Sequence, residues 1–362
     1  MSAAAEAALD EATLRADSAP VQPPATVAVA GATGWLGGHV VAELLSRGYS
    51  VLVLARASAD VNSLVGPLVS VARCDVTHDE SLATALDGSG AAAVISCVGM
   101  RDLAVPDAEI FRVLRNGTAH LYKAALACGA RRFIIVAGGI HRNPDGTINT
   151  EMAHNAARET GISQTDSHTL AAERATATVP AIVAVDPSVF FKDAETIFNM
   201  IAASRNTSKP GEASLTLVSG SWEVRINPIS GRDLATRLAD CLISPIPASG
   251  RITAGGPDTY TFAEFVDLAG QALGVRVHHR SLPRPLARAL LLVARLGGAL
   301  GRRKALAAQR LLSFLWVVGT DRSPGRLVGT TGGQDRVTEL FVRLAAEKRQ
   351  GAAVSGSDRG DR

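Results

Sequence analysis

The chain has 362 residues, 47% of them hydrophobic and 20% charged, a balance that excludes a disordered polypeptide and allows a large buried core. Lys and Arg number 37 against 34 Asp and Glu, a net charge of +3, and aromatics make up only 4%. No apolar stretch approaches the roughly 18 residues of a spanning helix. Cys74, Cys97, Cys128 and Cys241 lack metal-ligand or redox spacing, so no metal site is expected and they read as buried free thiols.

Residues 1–24 are Ala-rich and carry Glu6, Asp10, Glu11 and Asp17 against Arg15. They have neither the apolar stretch of a signal peptide nor the acid-poor composition of a transit peptide, so a flexible leader and a cytoplasmic protein are expected. The apolar run Thr26–Ala30 then leads into Gly31-Ala-Thr-Gly-Trp-Leu-Gly37 and a helix-like stretch, Trp35–Arg47. This is a dinucleotide-binding turn: a strand ends, the chain reverses, and a helix points its unpaired N–H groups at a pyrophosphate. Gly31 permits the turn, Gly34 lets backbone approach phosphate, and Gly37 lets the helix pack closely. Thr33, Trp35 and Leu36 complete the expected contact set.

Strands follow at Ser50–Ala55, Val69–Cys74, Ala91–Val98, Arg132–Val136 and Ala181–Val185. Helices are predicted between them at Asp60–Val65, Asp79–Leu86, Asp107–Cys128 and Thr165–Ala177. Alternating strands and helices predict an α/β fold, a Rossmann-type doubly wound parallel sheet. Gly138–Gly161 reads as a long active-site loop. Beyond it come a helix at Phe191–Ser204, a hairpin within Ser214–Arg225, a helix at Gly231–Ile243, a strand at Arg251–Ala254 and a helix at Phe262–Leu273. A basic helical pair (Pro283–Val318) and a last helix (Gln334–Lys348) complete the prediction. The expected organisation is a leader (1–24), an NAD(P)-binding domain (25–188), a smaller, mostly helical substrate-side region (189–348) and a disordered tail (349–362).

The second strand ends Val-Leu-Val-Leu-Ala-Arg56, with no acid before Asp60. An NAD site would place an acid there for the ribose 2′-hydroxyl, whereas a cation suits a 2′-phosphate, so Arg56, helped by Thr33, predicts NADP(H) over NAD(H). Between Leu268 and Thr320 there is no acid but nine cations: Arg276, Arg280, Arg284, Arg288, Arg295, Arg302, Arg303, Lys304 and Arg310. This basic segment (276–318) is either a solvated helical lid or, through 276–310, a peripheral contact for an anionic membrane. Without interleaved aromatics it is no nucleic-acid surface. Oligomeric state is not legible.

These strings together resemble the short-chain dehydrogenase/reductase superfamily, in its atypical GxxGxxG branch. Cys74-Asp-Val-Thr77 is similar to the strand-3 turn, implying that Asp75 and Val76 contact adenine. Ser96-Cys-Val-Gly99 resembles the strand-4 turn, implying cofactor contacts from Cys97, Val98 and Gly99. Asn116-Gly-Thr118 with Ala124–Phe133 matches the following helix and strand, after which Ala137 borders the cofactor. Asp186-Pro-Ser-Val-Phe-Phe-Lys192 resembles the segment lining the nicotinamide in NmrA-like and divinyl chlorophyllide reductase-like members, which implies roles for Pro187, Val189 and Phe190. Ile226–Leu234 and Gly255–Thr261 are similar to that group's substrate-side motifs.

The departures bear on catalysis. Val136-Ala137-Gly138 stands where relatives often have serine, and the Tyr-x-x-x-Lys pair is missing. The three tyrosines are Tyr49, Tyr122 and Tyr260, and Asp166–Glu173 holds no lysine. Proton-transfer candidates are then Lys192, His168 and His141, with His154 also in the loop. Two readings follow: an NADPH-dependent oxidoreductase for a small, rather apolar substrate, or an NADP(H)-binding redox sensor or assembly protein without turnover.

Overall fold

Apolar five- and six-residue runs separated by helices assemble into a seven-stranded sheet. The computed structural model describes residues 19–99, 105–137, 141–142, 148–149, 152–166, 180–205, 209, 211–246, 250–299, 304 and 328–357. These form two compact units. The first holds the chain up to Asp186 together with Leu234–Thr253; the second holds Pro187–Asp233 and the chain from Ala254 onward.

In the first unit, β1 (Thr26–Ala30) is followed by α1 (Trp35–Ser46), β2 (Ser50–Ala55), a 3-10 turn (Asn62–Leu64) and β3 (Val69–Arg73). Then come α2 (Asp79–Leu86), β4 (Ala91–Ser96), α3 (Asp107–Phe111), α4 (Gly117–Ala127) and β5 (Arg132–Val136). A two-residue ladder, β6 (His141–Arg142) with β7 (Ile148–Asn149), precedes α5 (Met152–Asp166) and β8 (Ala181–Pro187). After α7 (Gly231–Asp240) in chain order, β11 (Arg251–Ala254) adds a strand beside β8. The order β11-β8-β5-β4-β1-β2-β3 reverses at β1, which is the doubly wound pattern. Parallel pairing runs unbroken from β8 to β3. Strands such as Val27–Ala30 are wholly buried because helices cover them, so they read as continuous apolar runs. Leu121, Tyr122 and Phe133 pack in this core, the two rings edge to face at 5.2 Å.

Several expectations shift. The long loop expected at Gly138–Gly161 contains the start of α5, whose buried Met152, Ala156 and Ala157 make a helical stripe of small side chains. Of the helix expected at Thr165–Ala177, Thr165 and Asp166 are the last two residues of α5, and 167–177 lie outside the described residues. The single helix expected over Asp107–Cys128 is interrupted by a π turn at Arg112–Asn116. β3 is an edge strand, half exposed rather than buried. The leader expected to reach residue 24 is fixed from Ala19: the Val21 N–H donates to Leu242 O at 2.7 Å and Tyr49 Oη donates to Val21 O at 2.8 Å. Fully buried Arg132 donates to Ala19, Cys241 and Ser244 carbonyls, and Arg47 pairs with Asp240 at 2.8 Å. These bonds draw the end of α7 into the first unit, so the division is discontinuous rather than a single boundary after residue 188. Residues 1–18 lie outside the described residues.

The second unit contains α6 (Phe191–Ala203), β9 (Glu212–Val218), β10 (Arg225–Ile226), β12 (Tyr260–Thr261), α8 (Phe262–Leu273), β13 (Arg276–Leu282), α9 (Arg284–Ala299) and α10 (Val337–Ser357). Phe198, Phe265 and Phe341 join α6, α8 and α10, with ring centroids 5.6 and 5.3 Å apart. A capping box between Thr261 and Glu264 starts α8, and left-handed Gly274 ends it. The hairpin expected within Ser214–Arg225 does not form; β9 pairs in parallel with β13 instead. Arg276–Leu282, expected in the basic helical segment, is therefore a strand. Of the rest of that segment, α9 is described, and 300–303 and 305–318 lie outside the described residues. The tail expected to be disordered continues α10 to Ser357.

Asn227 ties three stretches of this unit together. It is fully buried, donates from Nδ2 to Gly329 O at 2.8 Å and accepts from the Gly329 N–H at 2.8 Å, while its carbonyl accepts from the Gly256 N–H at 3.0 Å. Gly255, Gly256 and Gly329 leave no room for side chains: a Cβ on Gly256 would meet Pro228 O at 1.9 Å. We predict that Gly256→Ala costs about 1–3 kcal/mol by forced repacking. Asn227→Ala should cost a similar ~1–3 kcal/mol by orphaning buried backbone groups. Urea unfolding checks both, and unchanged midpoints would contradict this account.

Candidate cofactor site

Parallel register decides which residues can meet. Ala184, Ile135, Ser96, Ala30, Leu54 and Ala72 form one row across the sheet. The residues that follow them all leave the same carboxyl edge: Gly31 after β1, Arg56 after β2, Cys74 and Asp75 after β3, Cys97–Gly99 after β4 and Ala137 after β5. Open α/β sheets bind ligands at this edge where strand order reverses, here between β1 and β4.

The turn after β1 is held by close approach. Gly31 has φ of +77°, and its N-terminal neighbours run straight from the strand; the Gly34 N–H donates to Gly31 O at 2.9 Å. A Cβ on Gly31 would lie 2.7 Å from Cys97 O, and one on Gly37 would lie 2.1 Å from Gly31 O. Both glycines are thus required by space, and Gly31 by conformation as well. Gly34 is the N-cap of α1 with no side-chain cap, and no acid occupies the first turn. The first-turn N–H groups and positive dipole end therefore lie at the edge with no side-chain cap and no acid in that turn, which fits a pyrophosphate. Thr33 and Gly34 are exposed, Leu36 and Gly37 are buried, and Trp35 sets its ring edge to face with His39 at 5.7 Å.

At the next strand, Ala55 is buried and Arg56 exposed. The first acid beyond it, Asp60, accepts from the Asn62 N–H at 2.9 Å, starting a 3-10 turn where a helix over Asp60–Val65 was expected. Arg73, paired with Ala55 across the ladder, donates from Nη1 to Arg56 O and Ala59 O, each at 2.9 Å. Two guanidinium groups thus belong to one corner. Sequence reading missed Arg73 because it took β3 as a buried strand; its position at the strand's last residue was the available signal.

Asp75 Oδ1 accepts from the Thr77 N–H at 2.9 Å and from Thr77 Oγ1 at 2.8 Å. Burial disfavours its charge, but the Thr77 hydrogen bonds, with His78 and Arg56 nearby, outweigh that and hold the carboxyl below its usual range. Val76 is set by α4: its carbonyl meets His120 Nδ1 at 3.1 Å, and a Cβ on Gly117 would stand 3.0 Å from its Cγ2. The π turn immediately precedes this contact. Burial pushes the Cys97 thiol up to about 12 and the Cys74 thiol up to about 11, so neither supplies a thiolate nucleophile at neutral pH. Val98 is half-buried, Gly99 exposed, and buried Ala137 donates its N–H to Val185 O.

Lys192 opens α6 in the second unit and forms an ion pair with Glu195 at 2.7 Å, with its side chain half exposed. Pro187, Val189 and Phe190 lie in the same unit; Val189 is buried and Phe190 is the N-cap of α6. His141 is described in backbone only, His168 lies outside the described residues, and His154 is buried on α5. Tyr122 is buried, donates to Pro180 O, and burial raises its pKa; Tyr49 donates to Val21 O. The motif acid Asp186 accepts two bonds from Arg251 at 2.7 and 2.9 Å, fastening β11 to β8.

Fold and edge together define a Rossmann-type dinucleotide-binding protein. A family model described as NAD(P)H-binding matches residues 31–216, and the chain belongs to that family. It is 29% identical over 248 residues to the chloroplastic divinyl chlorophyllide a 8-vinyl-reductase of Zea mays, covering 64% of this chain and 55% of that protein. It is 34% identical over 131 residues to cinnamoyl-CoA reductase 1 of Oryza sativa subsp. japonica, covering 33% of this chain and 36% of that one. The chain thus spans about half the length, or less, of these curated relatives. A short-chain dehydrogenase/reductase superfamily protein of Agrobacterium tumefaciens with bound NAD shares the fold at TM-score 0.56 and 16% identity, over 92% of this chain and all of that one. An NADPH-dependent quinone oxidoreductase of Escherichia coli complexed with NADPH does so at 0.53 and 16%, over 88% and 99%.

Adjacent glycines test the turn. Nothing lies within 4 Å of a Cβ on Gly38, one residue from the crowded Gly37. Gly38→Ala should therefore keep NAD(P)H binding and gain up to about 1 kcal/mol of stability from helix propensity. Gly37→Ala should lose both binding and stability; a calorimetric titration and melting curve for each variant would expose equal behaviour as a contradiction.

Proposed function

We propose that this chain is an NADPH-dependent oxidoreductase that reduces a small, apolar, conjugated acceptor. The observation that carries the reading is the β2–β3 corner, where Arg56 is the exposed residue after β2, Arg73 fastens its turn, and the nearest following acid is engaged with Asn62. A 2′-phosphate is the group that such a corner suits. The N–H groups of α1 would hold the pyrophosphate, and Asp75 and Val76 the adenine. When bound, the cofactor supplies hydride.

The same residues narrow the acceptor. With Tyr49 and Tyr122 committed to backbone carbonyls, Tyr260 hydrogen-bonded to Asp258 and Lys192 paired with Glu195, the described residues show no phenol–lysine pair to protonate an alkoxide. An enone or quinone takes up hydride as a delocalised anion that water can protonate, whereas a simple ketone leaves a localised alkoxide that needs a positioned acid. The vinyl-reductase and quinone oxidoreductase names among the relatives agree with that class. The committed tyrosines equally favour a second reading, an NADP(H)-binding sensor or assembly protein without turnover.

One pair of measurements separates them. NADPH oxidation is followed against quinones, enones and aldehydes beside a direct binding titration. Oxidation with quinones or enones ahead of aldehydes is expected; tight binding with no oxidation of any acceptor would establish the second reading. Arg56→Glu should weaken NADPH by on the order of a hundredfold while changing NADH little, from the loss of one charge-assisted contact and gain of a repulsive one. Equal losses for both nucleotides would refute the phosphate assignment.

A further inference from the structure

α9 is unlike the other helices of the second unit in what it leaves exposed. Ala287, Leu291 and Ala294 are buried at three- and four-residue spacing. Leu286, Leu290, Leu292, Val293 and Leu296 remain 42% to 65% exposed, a concentration of large apolar surface not matched elsewhere among the described residues. At about 3.6 residues per turn these side chains share one broad face opposite the buried line. Arg284, Arg288 and Arg295 recur at i, i+4 and i+11 and so fall on a single stripe along the shoulder of that face. The sequence around it adds Arg276 and Arg280 and holds no acid from Leu268 to Thr320.

An exposed apolar patch marks a contact surface. The charge beside it says of what kind: a cationic stripe along the margin of an apolar helical face matches an interface with anionic headgroups above and acyl chains below. Arg284 Nε donates to Ser219 O at 3.4 Å, whereas the Arg295 stem can lie along such a face while its head reaches phosphate. None of the described helices is long and apolar enough to cross a membrane, so the contact is one of lying on the surface. We propose that α9 seats this chain on an anionic lipid surface. α9 would carry, independently of the cofactor site and of turnover, the membrane contact expected more broadly of 276–310.

The full chain is sedimented with vesicles of phosphatidylglycerol and phosphatidylcholine in equal parts, and with phosphatidylcholine alone. Pelleting with the mixed vesicles only, released by raised salt, is expected. Arg295→Glu should weaken it on the order of tenfold, by removing one headgroup attraction and adding one repulsion. Val293→Glu with Leu296→Glu should abolish it. Both positions are exposed, and a thermal melt confirms that the variants fold. Failure to pellet with mixed vesicles, pelleting independent of phosphatidylglycerol, or pelleting that survives Val293→Glu with Leu296→Glu would overturn the proposal. So would a solution dimer that the same double substitution dissociates, since a second copy would then be the occupant of the face.

Discussion

The separation between Gly37 and the Gly31 carbonyl governs the first unit. A side chain on Gly37 would sit 2.1 Å from that oxygen, so α1 must run directly over the turn that ends β1. Gly31 in turn lies against the Cys97 carbonyl at the end of β4. Three segments, the β1 turn, the start of α1 and the end of β4, are therefore fixed by backbone-to-backbone contact that any side chain would break. The strand order reverses at this place, and the uncapped end of α1 opens at it. Packing alone aims the N–H groups at the start of α1, an arrangement that suits a pyrophosphate.

What the sequence shows and hides divides along the range of the interactions. β1, α1, β2, α2 and β5 are readable because their apolar runs, glycines and flanking turns are local. β9 is not, because its partner β13 lies some 60 residues away and pairs in parallel, a contact that no turn signal announces. α5 was concealed by its composition: alanines supply the buried stripe, and the polar residues around them read as a loop. The tight turn at Gly31 and Gly37 and the place of Arg56 just after β2 are legible from spacing. Arg73 and Gly117 were not, because each works through another residue: Arg73 through the Arg56 and Ala59 carbonyls, Gly117 through Val76.

Motifs that suggest substrate contact turn out, in their described contacts, to hold backbone. Asn227 clasps Gly329, and the Asp233 carboxylate accepts from the Gln334 and Asp335 N–H groups at 3.0 and 2.9 Å. Asp335 in turn accepts from Ser230 and Arg232. The Ile226–Leu234 string is thus occupied in fixing the approach to α10. In their described contacts its residues define the second unit more than they define a binding site.

The central claim is that the uncapped end of α1 and the Arg56–Arg73 corner form one NADPH cradle. A crystal structure of the chain grown with NADPH tests it most directly. The account predicts pyrophosphate oxygens on the backbone N–H groups at the start of α1 and the 2′-phosphate beside Arg56. A pyrophosphate bound away from that helix end, or a 2′-phosphate turned away from Arg56 into solvent, would contradict it.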